Sequence, residues 1–257
     1  MPVIPNINKG VVFSVKGPFA HFRKFYSQTS AMSYSIPPRT AISGIIGAIL
    51  GIPREKAYEL MQPPNGYICL QVVNPVRKIT STANLLSTKK DFLSDLFKRS
   101  RLEYFDSTEN RTQIPMEVLI PQPPNSNLKF RVAFWHNDEN RLRKLANYLQ
   151  NKNSFYPIYL GISEFLATVE FEGITESAVE LTGYEGEIHS VVVGKMIDNV
   201  LVKPGTNFNV EYMLIYMNND FSAKSHANVI YSKNPIYLKT KVAIKWKNWT
   251  WVPYELM

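Results

Sequence analysis

Histidines carry most of the acid–base chemistry that this 257-residue sequence offers, and there are four of them: His21, His136, His189 and His226. General acid–base catalysis needs one positioned group that accepts a proton and another that donates one. No two histidines fall within metal-ligand spacing, and the acids between 164 and 187 form no calcium-loop motif. We expect His136 at the surface near a helix start and His189 in the core or at a sheet edge. The pattern predicts no catalytic residue, no metal site and no cofactor.

The other two histidines lie close to basic residues. His21 is followed by Arg23 and Lys24 in a segment without acids. We expect His21 to donate a hydrogen bond to a phosphate or to stabilise its own loop, since a single histidine is more often structural than catalytic. Lys224 and His226 are the nearest approach to a lysine–histidine pair, in a segment that we expect to be a loop.

Cations alternate with aromatic residues in the polar segment 78–120. Lysine and arginine bind phosphates while aromatic rings stack on bases, so the combination is typical of proteins that bind single-stranded nucleic acid. The alternative is a solvated amphipathic helix that places its aromatic residues in the core. The clustered cations that we expect at a nucleic-acid surface are Lys89, Lys90, Arg99 and Arg101.

A strand pattern at 128–135 places Lys129 and Arg131 on one face. In RNA-binding ferredoxin-like domains the exposed sheet face can carry the RNA strand, and packing against another subunit is the alternative. Arg39 follows Pro37-Pro38 and enters a Gly-rich apolar segment that Thr40 can cap as a helix. Unsatisfied amides at a helix start attract anions, so we expect Arg39 to bind phosphate; the alternative is a salt bridge at the helix end.

The net charge of +8 is unevenly distributed along the chain. Residues 1–54 hold six basic residues and no acid, whereas residues 153–202 hold one lysine and eight acids. A chain of this kind is expected to have one basic face and one neutral or acidic face that points away from a polyanion. The partners that fit a basic face are nucleic acid or an anionic membrane surface, and the alternative is lysine kept for solubility.

The elements that must position these residues follow from periodicity. Strand patterns at 11–16, 67–76, 128–135 and 167–171 alternate with helices that begin near 40 and 137, and a short helix is predicted at 55–61. The order is β-α-β, a long insertion, then β-α-β, which predicts an α+β, ferredoxin-like (RRM-like) domain. Residues 1–175 form this domain, with the insertion at about 78–120. Residues 176–257 form a C-terminal antiparallel β region, with strands at 208–216 and 236–246.

Three features of the sequence indicate the cellular compartment of the protein. The single cysteine, Cys69, forms no internal disulfide. No apolar run approaches a membrane span, and the first residues are not a secretory signal. We therefore expect a cytoplasmic protein without a membrane partner.

Two blocks of sequence resemble a known family. GPFAHFRKFYSQTSAMSYSIPPRTAISGIIGAILGI at 17–52 and YPIYLGISEFLA at 156–167 are similar to signatures of the RAMP-superfamily CRISPR-associated protein that is number five in the Cas series. Among the subtypes of this family, the sequence resembles subtype I-B most. The blocks cover about 48 residues, and the order of the other elements agrees over most of the chain.

The resemblance implies a structural role in a Cascade surveillance complex. Members of this family cap the 5′ handle of the crRNA and contact the backbone subunit and the large subunit, with target DNA as a further neighbour. The insertion at 78–120 corresponds to the family's thumb hairpin. The residues then expected to contact RNA are His21, Arg23, Lys24, Tyr34, Arg39, Lys89, Lys90, Arg99, Arg101, Arg111, Lys129 and Arg131.

One branch of the family is instead a metal-independent endoribonuclease that cleaves CRISPR repeat RNA. Its enzymes use a tyrosine after the first strand and a lysine–histidine pair in or near the thumb. Tyr34 matches the tyrosine, but the chain has no Lys-His dipeptide and residues 78–120 contain no histidine. We therefore expect no enzymatic activity, with the endoribonuclease and a non-specific basic RNA-binding adaptor as the alternatives.

Overall fold

The computed structural model describes residues 4, 6–27, 30–86, 111–204 and 207–255. Within these residues the chain is a mixed α/β structure built on antiparallel sheets, which agrees with the predicted class. The helices are α1 (Arg39–Leu50), α2 (Arg54–Leu60) and α3 (Glu139–Gln150), with 3-10 turns at Ile7–Lys9 and Gly194–Asn199. The strands are β1 (Val11–Gly17), β2 (Phe22–Arg23), β3 (Ser33–Tyr34), β4 (Gly66–Val72), β5 (Val76–Leu86), β6 (Arg111–Pro121), β7 (Leu128–His136), β8 (Thr168–Ile174), β9 (Val179–Ile188), β10 (Val192–Val193), β11 (Asn209–Met217), β12 (Ala223–Tyr231), β13 (Ile236–Trp246) and β14 (Trp249–Trp251).

The central sheet has the strand order β4-β7-β1-β8, and each neighbouring pair is antiparallel. In β1, Val11, Phe13 and Val15 point into the main hydrophobic core, as their alternation predicts. Residues of α1 and α3 pack into the same core. The insertion predicted between the middle strands leaves this sheet after β4 and returns to it at β7.

Helix α1 is apolar nearly all round because it lies between the central sheet and the rest of the fold. It ends at Gly51, whose left-handed φ of 73° suits a residue without a Cβ. The prediction that Thr40 caps the helix is wrong: Pro38 holds the cap position and Arg39 is the first helical residue. Two prolines fix the entry backbone, so the helix starts without a side-chain cap.

A buried ion pair joins the start of α1 to the last described residue. Arg39 is 1% exposed and Glu255 is fully buried. Arg39 donates from Nε and Nη2 to the two carboxylate oxygens of Glu255, each at 2.8 Å. Glu255 also accepts from Tyr216 Oη at 2.7 Å and from the Ile68 amide at 3.1 Å. Burial raises the pKa of the Glu255 carboxyl, while the charge of Arg39 and these hydrogen bonds act in the opposite direction.

The C-terminal region consists of two three-stranded sheets, β10-β12-β11 and β14-β13-β9. Met213 and Ile215 of β11 enter the core of the central sheet, so the two regions share one core. Trp246 and Trp251 form a second cluster with Trp135 on the opposite face of β7. Strands β11 and β13 agree with the predicted strands, whereas β9 and β12 were not predicted because polar residues interrupt their alternation.

His136 is buried, which corrects the expectation of a surface residue. It is 6% exposed at the end of β7. Its Nδ1 accepts from the Asp138 amide at 2.9 Å, and its Nε2 faces the Leu60 carbonyl at 3.0 Å. Burial, and next the charge of Arg141, lower the pKa of His136. The ring therefore fixes the entry into α3 in its neutral form.

We predict that Glu255→Gln destabilises the protein by about 3–5 kcal/mol, because it leaves the Arg39 charge buried without its partner. Urea denaturation at pH 7.5 measures the free energy of unfolding. Glu185→Gln is the matched control, since Glu185 meets Lys239 at 3.8 Å with both side chains more than half exposed. That change should have little effect. Equal stability of the two variants would contradict the role given to the buried pair.

We also predict that stability decreases as the pH falls below about 6.5. The pKa of His136 is lower in the folded state than in the unfolded state. At a pH below the unfolded-state pKa, the unfolded chain therefore binds more protons, and the folding equilibrium shifts toward it. The contribution is complete above pH 6.5 and is lost on acidification. His189, whose pKa burial also lowers, acts in the same window. His136→Gln should therefore reduce, without abolishing, the difference between urea midpoints at pH 7.5 and pH 5.5, and an unchanged difference would contradict this.

Candidate nucleic-acid interface

The insertion predicted at 78–120 forms an antiparallel hairpin at its two ends. Strands β5 and β6 pair from Val76 with Pro121 to Leu86 with Arg111, a ladder of roughly 33 Å. Arg111 is thus the first residue of β6. The remaining cations predicted for this insertion lie outside the described residues: Lys89, Lys90, Arg99 and Arg101.

The root of this hairpin is held by a network of charges. Lys78 donates to the Ser33 carbonyl at 2.6 Å and lies 3.3 Å from Glu211 and 3.6 Å from Glu117. Glu117 accepts from the Ser33 amide at 2.8 Å. Lys24 lies 3.8 Å from Glu211. The network joins β5, β6, β3 and β11, so it fixes where the hairpin leaves the body of the protein. We call it the root network.

Sequence reasoning missed the two carboxylates of the root network, Glu117 and Glu211, and no local signal could have found them. Glu211 is 133 residues from Lys78 along the chain. Glu117 is 84 residues from Ser33. Neither carboxylate sits in a motif, and only the packing of β11 and β6 around the β2–β3 connection brings them to the lysines.

His21 and Arg39 serve the fold, which corrects their assignment to the RNA surface. His21 is 3% exposed, and its Nδ1 faces the Glu117 carbonyl at 2.7 Å. It therefore supports the hairpin root. Arg39 is buried against Glu255, so the salt-bridge alternative is the observed one. A buried guanidinium has no face left for a phosphate.

Lys129 and Arg131 of β7 meet acids of β8, which lies on the far side of β1 in the same sheet. Lys129 lies 3.5 Å from both Glu170 and Glu172. Arg131 is 8% exposed, forms an ion pair with Glu172, and stacks on the Trp249 ring at 3.9 Å from its centroid. Although burial raises the pKa of Glu172, hydrogen bonds from Arg131 and Ser14 outweigh it, and the net pKa is lowered. This corrects the expectation of an RNA-binding strand face.

The expectation that the acidic segment 153–202 points away from the basic residues is also wrong for the central sheet. Glu170 and Glu172 belong to β8, which pairs with β1 beside β7. Glu170 also forms an ion pair with Lys16 of β1. The charges that are separated along the chain are therefore neutralised across one sheet face, and they do not form opposed basic and acidic faces there.

The β2–β3 connection keeps one predicted residue at the surface. Arg23 is exposed, and Lys24 is partly buried by Glu211. Tyr34 is 2% exposed, and its Oη makes no hydrogen bond within the described residues. Burial, followed by the nearby Tyr26, raises the pKa of the Tyr34 phenol well above its ordinary value. Of the predicted RNA contacts whose side chains the structure describes, Arg23 is thus the one that stays exposed.

A groove of about 1,100 Å³ lies between α1, the β5–β6 hairpin and the segment 156–165. Its floor is the small-residue face of α1, where a Cβ on Gly44 would meet nothing within 4 Å. Tyr156 and Tyr159 stand at its rim and are 47% and 44% exposed.

No cluster of three or more His, Cys, Asp or Glu among the described residues could hold a metal ion. Of the helices described, none is long and apolar enough to cross a membrane.

The sequence and the fold are both similar to CRISPR-associated proteins. Residues 10–104 match the family model described as CRISPR-associated protein (Cas_Cas5). That range includes the block at 17–52, so the resemblance drawn from it is confirmed; the block at 156–167 lies outside the range. No protein of curated function matches the sequence.

The fold is also similar to solved structures of CRISPR proteins. A CRISPR protein from Archaeoglobus fulgidus aligns at a TM-score of 0.51 and 15% identity, over 94% of this chain and 97% of that chain. A chain of a CRISPR RNA-guided surveillance complex aligns at 0.47 and 12% identity, over 90% and 91%. At such identity the first likeness shows a common fold.

We predict that Lys78→Met loosens the hairpin root. Glu117 and Glu211 then lose the cation that they share, and the Ser33 carbonyl loses its donor. Hydrogen exchange of β6 amides should become roughly tenfold faster, as expected for the loss of a charged hydrogen bond. The control is Lys239→Met, because that side chain is 71% exposed and meets Glu185 only at 3.8 Å. Unchanged β6 exchange in Lys78→Met would show that the network does not hold the root.

Proposed function

We propose that this chain, whose residues 10–104 match the family model described as CRISPR-associated protein (Cas_Cas5), is a non-catalytic subunit of a type I CRISPR surveillance complex. In this role it binds and caps the 5′ handle of the crRNA and contacts the backbone and large subunits, with target DNA nearby in the assembled complex. Subtype I-B is the form that the sequence resembles most.

The observation that carries the proposal is the β5–β6 hairpin. Its root is fixed by the root network, but the part farther out has little to pack on: Ser81, Thr82 and Asn84 are exposed, and Leu85 is 48% exposed. A two-stranded ribbon is at best marginally stable by itself in water. We infer that this ribbon is completed by the guide RNA and a neighbouring subunit, which it reaches from a fixed base.

The surfaces beside the hairpin are suited to a nucleic-acid strand. Arg23 and Arg77 are exposed on either side of the root. We retain Arg23, together with Lys89, Lys90, Arg99, Arg101 and Arg111, as the proposed phosphate contacts. Guanidinium groups bind phosphate through paired donors, which favours arginine at such a surface. We also interpret the central sheet, with its order β4-β7-β1-β8 and the crossovers of α1 and α3, as a ferredoxin-like domain.

Repeat cleavage is the weaker candidate. The tyrosine that this activity would use, Tyr34, is buried beneath the β2–β3 connection, and burial raises its pKa, so the phenol stays protonated and cannot accept a proton from the RNA. Two of the described histidines lie in this part of the fold: His21 is buried with its Nδ1 at the Glu117 carbonyl, and His226 is packed between the rings of Phe25 and Tyr212. These surroundings favour binding over catalysis.

We predict that the purified chain shifts its cognate repeat RNA in EDTA and leaves it intact. Only RNA that contains the 5′-handle half should be shifted, and a scrambled RNA of equal length should not, because recognition depends on the handle. One gel with end-labelled RNA scores both binding and cleavage. A shift of both RNAs would favour the non-specific adaptor. Cleavage at one position that is lost in Tyr34→Phe would instead identify the processing enzyme.

A further inference from the structure

Four rings form a contiguous surface cluster beside the hairpin root. Phe25 and Tyr26 come from the β2–β3 connection, Tyr212 from β11 and His226 from β12. Ring centroids are 5.1 Å apart for Phe25–Tyr26, 4.3 Å for Phe25–His226 and 5.6 Å for Tyr212–His226, the last pair being stacked. We call these four residues the aromatic patch.

The three largest rings of the aromatic patch remain half open to solvent. Phe25 is 50%, Tyr26 51% and Tyr212 50% exposed. Aromatic side chains contribute most when their faces are covered, so a cluster of half-exposed rings marks an interaction surface. Tyr212 and His226 sit on paired strands, so the strands hold part of the patch ready before any ligand arrives.

Polar and charged groups surround the rings. Nε2 of His226 is buried and makes no hydrogen bond within the described residues. The Lys24 ammonium lies 5.8 Å from the Tyr26 ring centroid and 5.7 Å from that of Tyr34. Arg23 and Lys224 are exposed at its margins. Rings with nearby cations are the combination that binds the bases and phosphates of a single strand.

The patch is continuous with the hairpin. Ala31, in the same connection, bridges to Met116 of β6, and the Ser33 amide donates to Glu117. Glu211, the nearest acid on β11, is neutralised by Lys24 and Lys78. A strand that follows the hairpin to its root would therefore reach the rings without meeting an unpaired carboxylate of the root network.

We propose that the aromatic patch stacks one unpaired base of the bound guide RNA, with Tyr212 and Phe25 as the principal contacts. The inference rests on the proposed function and adds the residues that hold a base. A base needs only a ring face for stacking, and the cations beside the patch select RNA over an apolar protein surface.

The test uses the full chain and its cognate repeat RNA labelled with 2-aminopurine at one position at a time. Fluorescence of one position should be quenched on binding to the wild type. Tyr212→Leu and Phe25→Leu should lose this quenching and bind the RNA about 5- to 100-fold more weakly, the range expected for one stacked base. Tyr212→Phe should retain both properties because it keeps the ring.

Tyr159→Leu is the matched control, since Tyr159 is a similarly exposed aromatic residue on a different segment. It should bind and quench as the wild type does, and thermal denaturation checks that every variant is folded. If Tyr212→Leu binds RNA as tightly as the wild type and shows the same quenching, the aromatic patch does not stack a base, and the proposed function is unaffected. Failure of the wild type to bind any RNA would overturn both. Intact RNA binding with loss of co-purifying CRISPR subunits would identify the patch as a protein surface and overturn base stacking.

Discussion

The buried pair of Arg39 and Glu255 is the constraint on which the assembly of the two regions depends. Burying two charges is costly, and here the cost is offset by two 2.8 Å hydrogen bonds between them and by further donors to Glu255. The pair forms only when α1, β4, β11 and the end of the described chain meet in one arrangement. It therefore makes the C-terminal sheets part of the same core and gives the hairpin a rigid base.

A second set of charges, the root network, attaches the β5–β6 hairpin to the body of the protein. Lys78, Glu117 and Glu211 meet where β5, β6 and β11 converge, and His21 adds a contact to the Glu117 carbonyl. Cations expected to bind RNA are thus divided by burial: those of the central sheet are neutralised by acids of β8, while Arg23 stays exposed. The same residue types serve folding or binding according to what packs against them.

Strong periodicity was sufficient to predict the elements that build the central sheet. The apolar stripe of α3 reflects burial on one face, and the alternating apolar residues of β1 and β7 enter the main core, although both strands are buried on their second face as well. Strands β9 and β12 escaped prediction, since all of β9 except its last residue is exposed or half-buried and the buried residues of β12 are grouped at its end without a clear alternation. The start of α1 was misassigned because its fixed backbone comes from prolines and needs no side-chain cap.

The sequence by itself determined the α/β class, the place of the insertion and the resemblance to a CRISPR-associated family, because these depend on local patterns of burial and on short motifs. Only the tertiary structure decided which cations remain free. Arg39 meets its carboxylate across 216 residues, and the rings of the aromatic patch come from segments almost as far apart. Partners at such separations leave no trace in local sequence, since contact between them exists only once the sheets have packed.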